Sequence, residues 1–256
     1  MALAFFILYV VFALLFVDEF ANPRNLGNIL VQSTDLIILA CGLTFVFMNG
    51  SIDFSMTATL GLAGVIGARV MTQPGNPMVM TILGIFAMLA VGLVIGVING
   101  LAVTRLRMPS FIATIAAQLM VSGAALWFTE SSSIGGLPRP FLFIGRGRVF
   151  GIEFPIIVMA FVVAGSAFLL HRSVFGRYIF AVGTNHRTSM ISGIPVRRVV
   201  FVLFLLSSSL AALASIVMTS RAGAGIPGMG RNMIMDIAGA VIIGGTLVTG
   251  GKGTIY

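Results

Sequence analysis

Apolar residues along this chain come in long unbroken runs, and polar residues gather in the breaks between them. A helix that lies on a water-facing surface keeps one polar face, whereas these runs are apolar all round, as expected of rods in a nonpolar medium. The first run ends at Val17, before Asp18, Glu19, Pro23 and Arg24. The second covers residues 26–48 and is dotted with Gln32, Thr34 and Asp35. After Asn49-Gly50, a third covers residues 54–71 and closes at the turn Gln73-Pro74-Gly75-Asn76-Pro77. A fourth, residues 78–103, stops at Arg105 and Arg107, and Pro109 opens a fifth that reaches Trp127. A polar loop over residues 130–153 leads to a sixth run, 154–170. Beyond a polar, basic stretch at 171–198 lies a seventh, 199–219, and an eighth starts near Ile234 and breaks at Gly244-Gly245 and Gly250-Gly251. Each run is near the roughly 20 residues that a bilayer requires. The pattern predicts an all-α, polytopic transmembrane helical protein of about eight spans, forming one membrane domain over residues 1–256.

Composition agrees. Hydrophobic residues make up 58% of the chain and charged residues 9%, against about a quarter charged in a soluble domain. The mean hydropathy is +1.11, more apolar surface than a water-soluble fold can hide. The net charge of +8 does not point to nucleic acid, because no dense basic patch is interleaved with aromatics. The basic residues sit between apolar runs, as expected for membrane topology and anionic headgroups. Cys41 is the single cysteine, so no intrachain disulfide can form. His171 and His186 lack metal-ligand spacing, and no metal site is expected. The N-terminal run lacks a basic leader and a small-x-small cleavage site, so it reads as a first span.

Alternation of the runs puts Arg105, Arg107 and the stretch 171–198 on one side, with seven arginines and no acid. The dense basic run after the sixth span marks that side as cytoplasmic, and the N-terminus with it. The chain stops at Ile255-Tyr256, just after a Gly-rich break, which reads as a partial chain whose final spans are missing.

Three constellations stand out. In the first, 175–198, a short helix at 188–192 is expected between two glycines, with Gly193 as its stop and Pro195 blocking continuation. It reads equally as a docking helix for a partner or as a solvated basic loop. The second is Asn49-Gly50-Ser51-Ile52-Asp53-Phe54-Ser55. It reads as a discontinuous helix lining a polar path, or as a cap in which Asp53 and Ser55 start the third span, and capping is the better reading for Asp53. The third, residues 240–254, is glycine-rich but lacks G-x-x-x-x-G-K-[ST], so nucleotide binding by this chain is rejected. Together with Asn49-Gly50 it suggests paired interrupted helices of an inverted repeat, or close packing through glycine.

The residues also carry a resemblance. Gly50-Ser51-Ile52-Asp53-Phe54-Ser55, Asn99-Gly100, Arg105-Leu106-Arg107-Met108-Pro109-Ser110-Phe111, Phe175-Gly176-Arg177, Ala181-Val182-Gly183-Thr184-Asn185, Ser192-Gly193-Ile194-Pro195-Val196 and Asp236-Ile237-Ala238-Gly239-Ala240 occur in order along nearly the whole chain. This series resembles the ribose/xylose/arabinose-type permease family of ABC importers. It differs from the family's usual pattern at Ser51 and Phe54, and at Arg231, where an acid is usual. The resemblance implies a bacterial inner-membrane subunit that pairs with a second permease copy or paralogue, a cytoplasmic ATPase dimer and a periplasmic binding protein. It implies no covalent chemistry and no cofactor in this chain, with ATP and Mg bound by the partner ATPase. It implies a coupling role for residues 171–198, carried by Gly183, Asn185, His186, Arg187, Ser192, Gly193, Ile194 and Pro195.

Polar residues inside apolar runs are candidate pathway groups: Asp53, Asn99, Thr114, Gln118, Ser122 and Asp236. Thr114, Gln118 and Ser122 share one helical face by their spacing of four. Interhelical hydrogen bonding accounts for them equally well. An ion-coupled secondary transporter using Asp35, Asp53 and Asp236 is the alternative. An intramembrane enzyme is disfavoured, because no H-E-x-x-H, Ser/His pair or paired-Asp motif stands out.

Overall fold

The computed structural model describes residues 2–16 and 22–255, with the side chains of residues 2–6, 23 and 24 excepted. The expected loop at Asp18 and Glu19 lies outside the described residues. Eleven helices and one small hairpin are present among those described. In chain order they are α1 (Ala2–Leu15), α2 (Pro23–Met48), α3 (Met56–Met71), α4 (Pro77–Thr104), α5 (Ser110–Thr129), α6 (Arg139–Arg146), the antiparallel pair β1 (Arg148–Val149) and β2 (Ile152–Glu153), α7 (Phe154–Arg172), α8 (Val174–Thr184), α9 (His186–Ile191), α10 (Val196–Ala222) and α11 (Ile234–Ile243).

Local chemistry sets the ends. The Asn76 side chain accepts from the backbone N–H of Met78 at 2.9 Å, and Pro77 occupies the first turn of α4. Pro195 precedes α10, and Gly223, at φ +76°, ends it.

Among the described residues, five helices are long and apolar enough to cross a membrane: residues Asn25–Met48 of α2, and α4, α5, α7 and α10. The expected count of about eight is not confirmed among them. The third run folds as α3, of 16 residues, which spans about 24 Å at 1.5 Å per residue against a hydrocarbon thickness of about 30 Å. The eighth gives α11, of only 10 residues. Apolar composition marked these segments correctly, but it cannot say whether the surrounding solvent is lipid or protein. Twelve residues of α3 are buried, so its medium is the protein itself.

α10 is the axis of the fold. It packs against α4, α2, α3 and α6, and its buried side includes Leu203, Phe204, Ala211, Ala214 and Val217. Large apolar side chains on the outside, among them Phe86, Leu119, Met120, Trp127, Phe161 and Phe168, stay exposed, as lipid-facing residues do.

Two helices, α6 and α8, arise at positions where no helix was expected. Within 130–153, α6 follows Pro138 and drives Phe141 into the core. Its Gly145 N–H donates to Ser220 Oγ at 2.7 Å, and Ser220 Oγ donates to the Phe141 carbonyl at 2.6 Å. Within 171–198, α8 is capped by Ser173, which accepts from the Gly176 N–H at 2.9 Å. It buries Gly176, Ile179 and Val182 at a spacing of three.

The segment after α10 runs inward. Gly225 pairs with Ile134 and lies against Gly64 and Ala68 of α3. The chain then follows α3 back toward its start, with Pro227 at Gly61 and Gly230 beside Thr57 and Leu60. A β-carbon on Gly61 would sit 2.7 Å from the Pro227 carbonyl oxygen, so the approach requires glycine. Irregular backbone at this depth is tolerated only inside protein or along a wet cavity.

Candidate coupling and pathway site

The helix break at Asn49-Gly50, the glycine-rich break near Gly250-Gly251 and the basic stretch around Gly183 meet at one junction. α2 ends at Met48, whose carbonyl accepts from the Gly251 N–H at 2.9 Å. Gly183, near the end of α8, packs onto the same carbonyl so closely that any β-carbon there would overlap it and the Gly251 nitrogen. The His186 ring nitrogen Nε2 lies 3.5 Å from the Asn49 carbonyl oxygen. The first, second and third constellations thus form one structural unit.

Beyond the junction, α9 covers His186–Ile191, starting two residues and ending one residue before the expected 188–192. The shift has a local cause: the Asn185 side chain accepts from the Thr188 N–H at 3.0 Å and starts the helix there. Gly193 takes φ +78° and stops it, as expected. Asn185, His186, Arg187, Ser192, Gly193 and Pro195 are exposed, and Ile194 is half-buried. Met190 and Ile191 present apolar side chains to the outside, 59% and 81% exposed. A solvated basic loop has no need of two such residues side by side. They were not among the expected coupling residues, and the signal for them was the apolar pair itself inside a polar stretch.

A second feature is a sealed polar knot. Asp53 is fully buried. Its Oδ1 accepts from the Ser55 N–H at 3.0 Å and from Ser55 Oγ at 2.6 Å, and its Oδ2 accepts from Ser207 Oγ at 2.7 Å. Asn99 Nδ2 donates to Ser55 Oγ at 2.7 Å. Thr114 Oγ1 reaches the Ile52 carbonyl at 3.2 Å, and the Ile52 N–H donates to Ser110 Oγ at 3.2 Å. These bonds join the start of α3 to α4, α5 and α10. Asp53 holds Ser55, the residue before α3, but neither side chain caps an N–H of the helix itself. Asp53, Asn99 and Thr114 are all buried. Ser207 was missed. Its signal was Ser207-Ser208-Ser209, three hydroxyls in the middle of an apolar run.

Gln118 and Ser122 behave differently from Thr114. With Thr57, Pro227, Gly228 and Arg231 they line a cleft of about 60 Å³ between α3, α5 and the inward-running segment. Asp236 is exposed in the first turn of α11. A third feature lies at the opposite end of α10 from the junction. There Arg221 Nη2 pairs with Asp35 Oδ2, and Arg221 Nη1 donates to the Val31 carbonyl at 2.6 Å. Among the described residues no group of three His, Cys, Asp or Glu side chains is placed to hold a metal ion.

The chain matches, over residues 25–256, the family described as branched-chain amino acid transport system / permease component. It is 36% identical over 255 residues to the ribose import permease protein RbsC of Bacillus subtilis, covering 99% of this chain and 78% of that protein. Against RbsC of Escherichia coli K12 it is 34% identical over 241 residues, 93% of this chain and 74% of the relative. The D-allose transport system permease protein AlsC of Escherichia coli K12 is 32% identical over 255 residues, covering 98% of this chain and 77% of AlsC. No solved structure matches the chain. A helical membrane scaffold with interrupted helices, matched over nine-tenths of its length by permeases at 32–36% identity, places the chain in one group: it belongs to the family of branched-chain amino acid transport system permease components.

Proposed function

We propose that this chain is the membrane permease subunit of an ATP-driven importer for a monosaccharide or similar small polar solute. The names of its relatives as ribose and allose permeases support the solute class. The observation that carries the mechanism is the junction at the Met48 carbonyl, where the exposed segment 183–195 is packed directly onto two interrupted helices.

On this reading α9 docks in a groove of a cytoplasmic ATPase dimer, with Met190 and Ile191 as its apolar anchors. The stretch 171–198 is the coupling region of a permease domain that covers residues 1–256. Closure of the ATPase moves α8 and α9, and Gly183 transmits the displacement to Met48 and Gly251. The N-terminus and residues 171–198 face the cytoplasm of a bacterial inner membrane. A periplasmic binding protein delivers the solute, and a second permease copy or paralogue completes the pathway. Hydrolysis belongs to the ATPase, which binds ATP and Mg, and this chain carries no cofactor.

The ion-coupled alternative has less to work with. Asp35 is engaged by Arg221, and Asp53 is satisfied by Ser55 and Ser207. Uptake of radiolabelled pentose into vesicles holding the permease, ATPase and binding protein tests the proposal. Uptake should require ATP and persist with ionophores present. Uptake that collapses with the ion gradient and ignores ATP supports the alternative.

A further inference from the structure

The cleft between α3, α5 and residues 227–231 has an unusual lining. Hydroxyls in these helices usually satisfy themselves one turn back. Thr59 donates to the Ser55 carbonyl, Thr114 to Ser110, Thr129 to Ala125 and Ser209 to Leu205, at 2.7–2.9 Å. Thr57 has no such partner. At the second position of α3 no preceding helical turn offers a carbonyl, and its Oγ1 is buried without any hydrogen bond. Ser122 has the Gln118 carbonyl one turn behind it and does not use it. The side chains of Gln118, Ser122 and Arg231 likewise make no hydrogen bond or ion pair within the described residues. Four polar groups from three segments therefore converge on one cleft, all without protein partners.

Leaving a buried hydroxyl unpaired costs about 1–3 kcal/mol, so the arrangement implies an outside partner. Gln118 and Ser122 stand at the middle of α5, one of the helices long and apolar enough to cross a membrane. The segment that forms the far wall is irregular backbone leading into the half-length helix α11. Interrupted helices at mid-depth are a recurring way to build solute sites. A volume of about 60 Å³ holds a few waters or hydroxyl groups, by the roughly 10–15 Å³ needed per water, and not a whole sugar ring.

We infer that this cleft is an oxygen-reading subsite that receives one hydroxylated edge of the transported solute. Thr57 and Ser122 bind single hydroxyls, each able to donate and accept, and the Gln118 amide offers both a donor and an acceptor. The Arg231 guanidinium presents two parallel N–H donors to a pair of adjacent oxygens. The rest of the solute stays outside the cleft. This inference rests on the permease reading above and gives that reading a specific contact surface.

The test uses the assembled permease, ATPase and binding protein in proteoliposomes, with Cys41→Ser as the background. Ser122→Cys, part-exposed at the cleft, should react with a hydrophilic methanethiosulfonate, and Met120→Cys, on the outer side of α5, should not. At least one of D-ribose, D-allose, L-arabinose and D-xylose should slow the reaction fivefold or more. A second variant, Thr57→Val, removes the unpaired hydroxyl at nearly constant shape. It should leave the thermal midpoint unchanged or higher, while sugar uptake falls at least fivefold. Failure of Ser122→Cys to react, reaction without protection by any sugar, or normal uptake in Thr57→Val overturns the subsite. If the unmodified complex shows ATP-driven uptake in the same vesicles, such a failure leaves the permease reading standing. Absence of uptake in the unmodified complex with a protected Ser122→Cys places the failure in the importer reading.

Discussion

Gly183 lies against the carbonyl of Met48 with no room for a side chain between them. One residue from the exposed stretch thereby touches the end of α2, and the same carbonyl receives the Gly251 N–H. The contact joins the exposed stretch to both glycine-containing breaks, at 49–50 and 250–251, so a movement of α8 acts on both.

Gly183→Val tests the fit. The branched side chain must push α8 from the junction, an overpacking cost of about 1–3 kcal/mol. The detergent-solubilised permease should melt earlier than the unmodified protein. By contrast, Gly193 has open space where a β-carbon would be and owes its residue type to φ +78°. Gly193→Arg costs about 1–2 kcal/mol for a left-handed non-glycine residue. It should insert normally and lose co-purification with the ATPase. Normal co-purification counts against coupling.

Met190→Ser with Ile191→Ser removes the apolar anchors. Both side chains are already exposed, so the permease alone should keep its stability to within about 0.5 kcal/mol. Retention of the ATPase on the membrane should fall at least tenfold. Unchanged retention, measured by pull-down, removes α9 as the docking element.

The Asp53 knot predicts a cycle. Ser207→Ala strips one carboxylate oxygen of its donor and should destabilise the fold by about 1–3 kcal/mol. The same change in an Asp53→Ala background should cost much less, because the partner is gone. Equal costs in the two backgrounds, from thermal or denaturant melts, mean that the bond contributes nothing.

At the other end of α10, Arg221→Ala leaves Asp35 as a buried charge without its cation. The expected loss is about 3–5 kcal/mol. Pairing Arg221→Met with Asp35→Leu should return most of it, since replacing a buried ion pair by apolar residues of similar volume is often neutral. A melt of the double variant as low as that of Arg221→Ala excludes this account.

Much of this architecture is legible from residue order alone. The runs read to residues 48, 71, 103, 127, 170 and 219 fold as helices ending at Met48, Met71, Thr104, Thr129, Arg172 and Ala222, and they are visible because lipid and core both select apolar residues. That same indifference hides the distinction between spanning and buried helices, and α3 and α11 were read as spans for this reason. α6 was missed because Pro138, Pro140, Gly145 and Gly147 read as loop punctuation, although Phe141 and Gly145 share its buried face. α8 carried a readable signal, a Ser173 cap followed by Gly176, Ile179 and Val182, which the arginine content masked. The pathway residues were the hardest to assign. Thr114, Gln118 and Ser122 share one face, yet Thr114 reaches the Ile52 carbonyl while the other two open onto the cleft. Spacing gives the face of a helix and not what stands opposite it. Thr57 and Arg231 belong to the same cleft, which only the inward path of residues 225–231 brings together.

The most direct measurement is the sidedness of α9. Ile191→Cys in a Cys41→Ser background is exposed to a membrane-impermeant maleimide in right-side-out and in inverted vesicles. The account predicts labelling in inverted vesicles alone, blocked when the ATPase is bound. Labelling in right-side-out vesicles puts α9 on the periplasmic face and contradicts it.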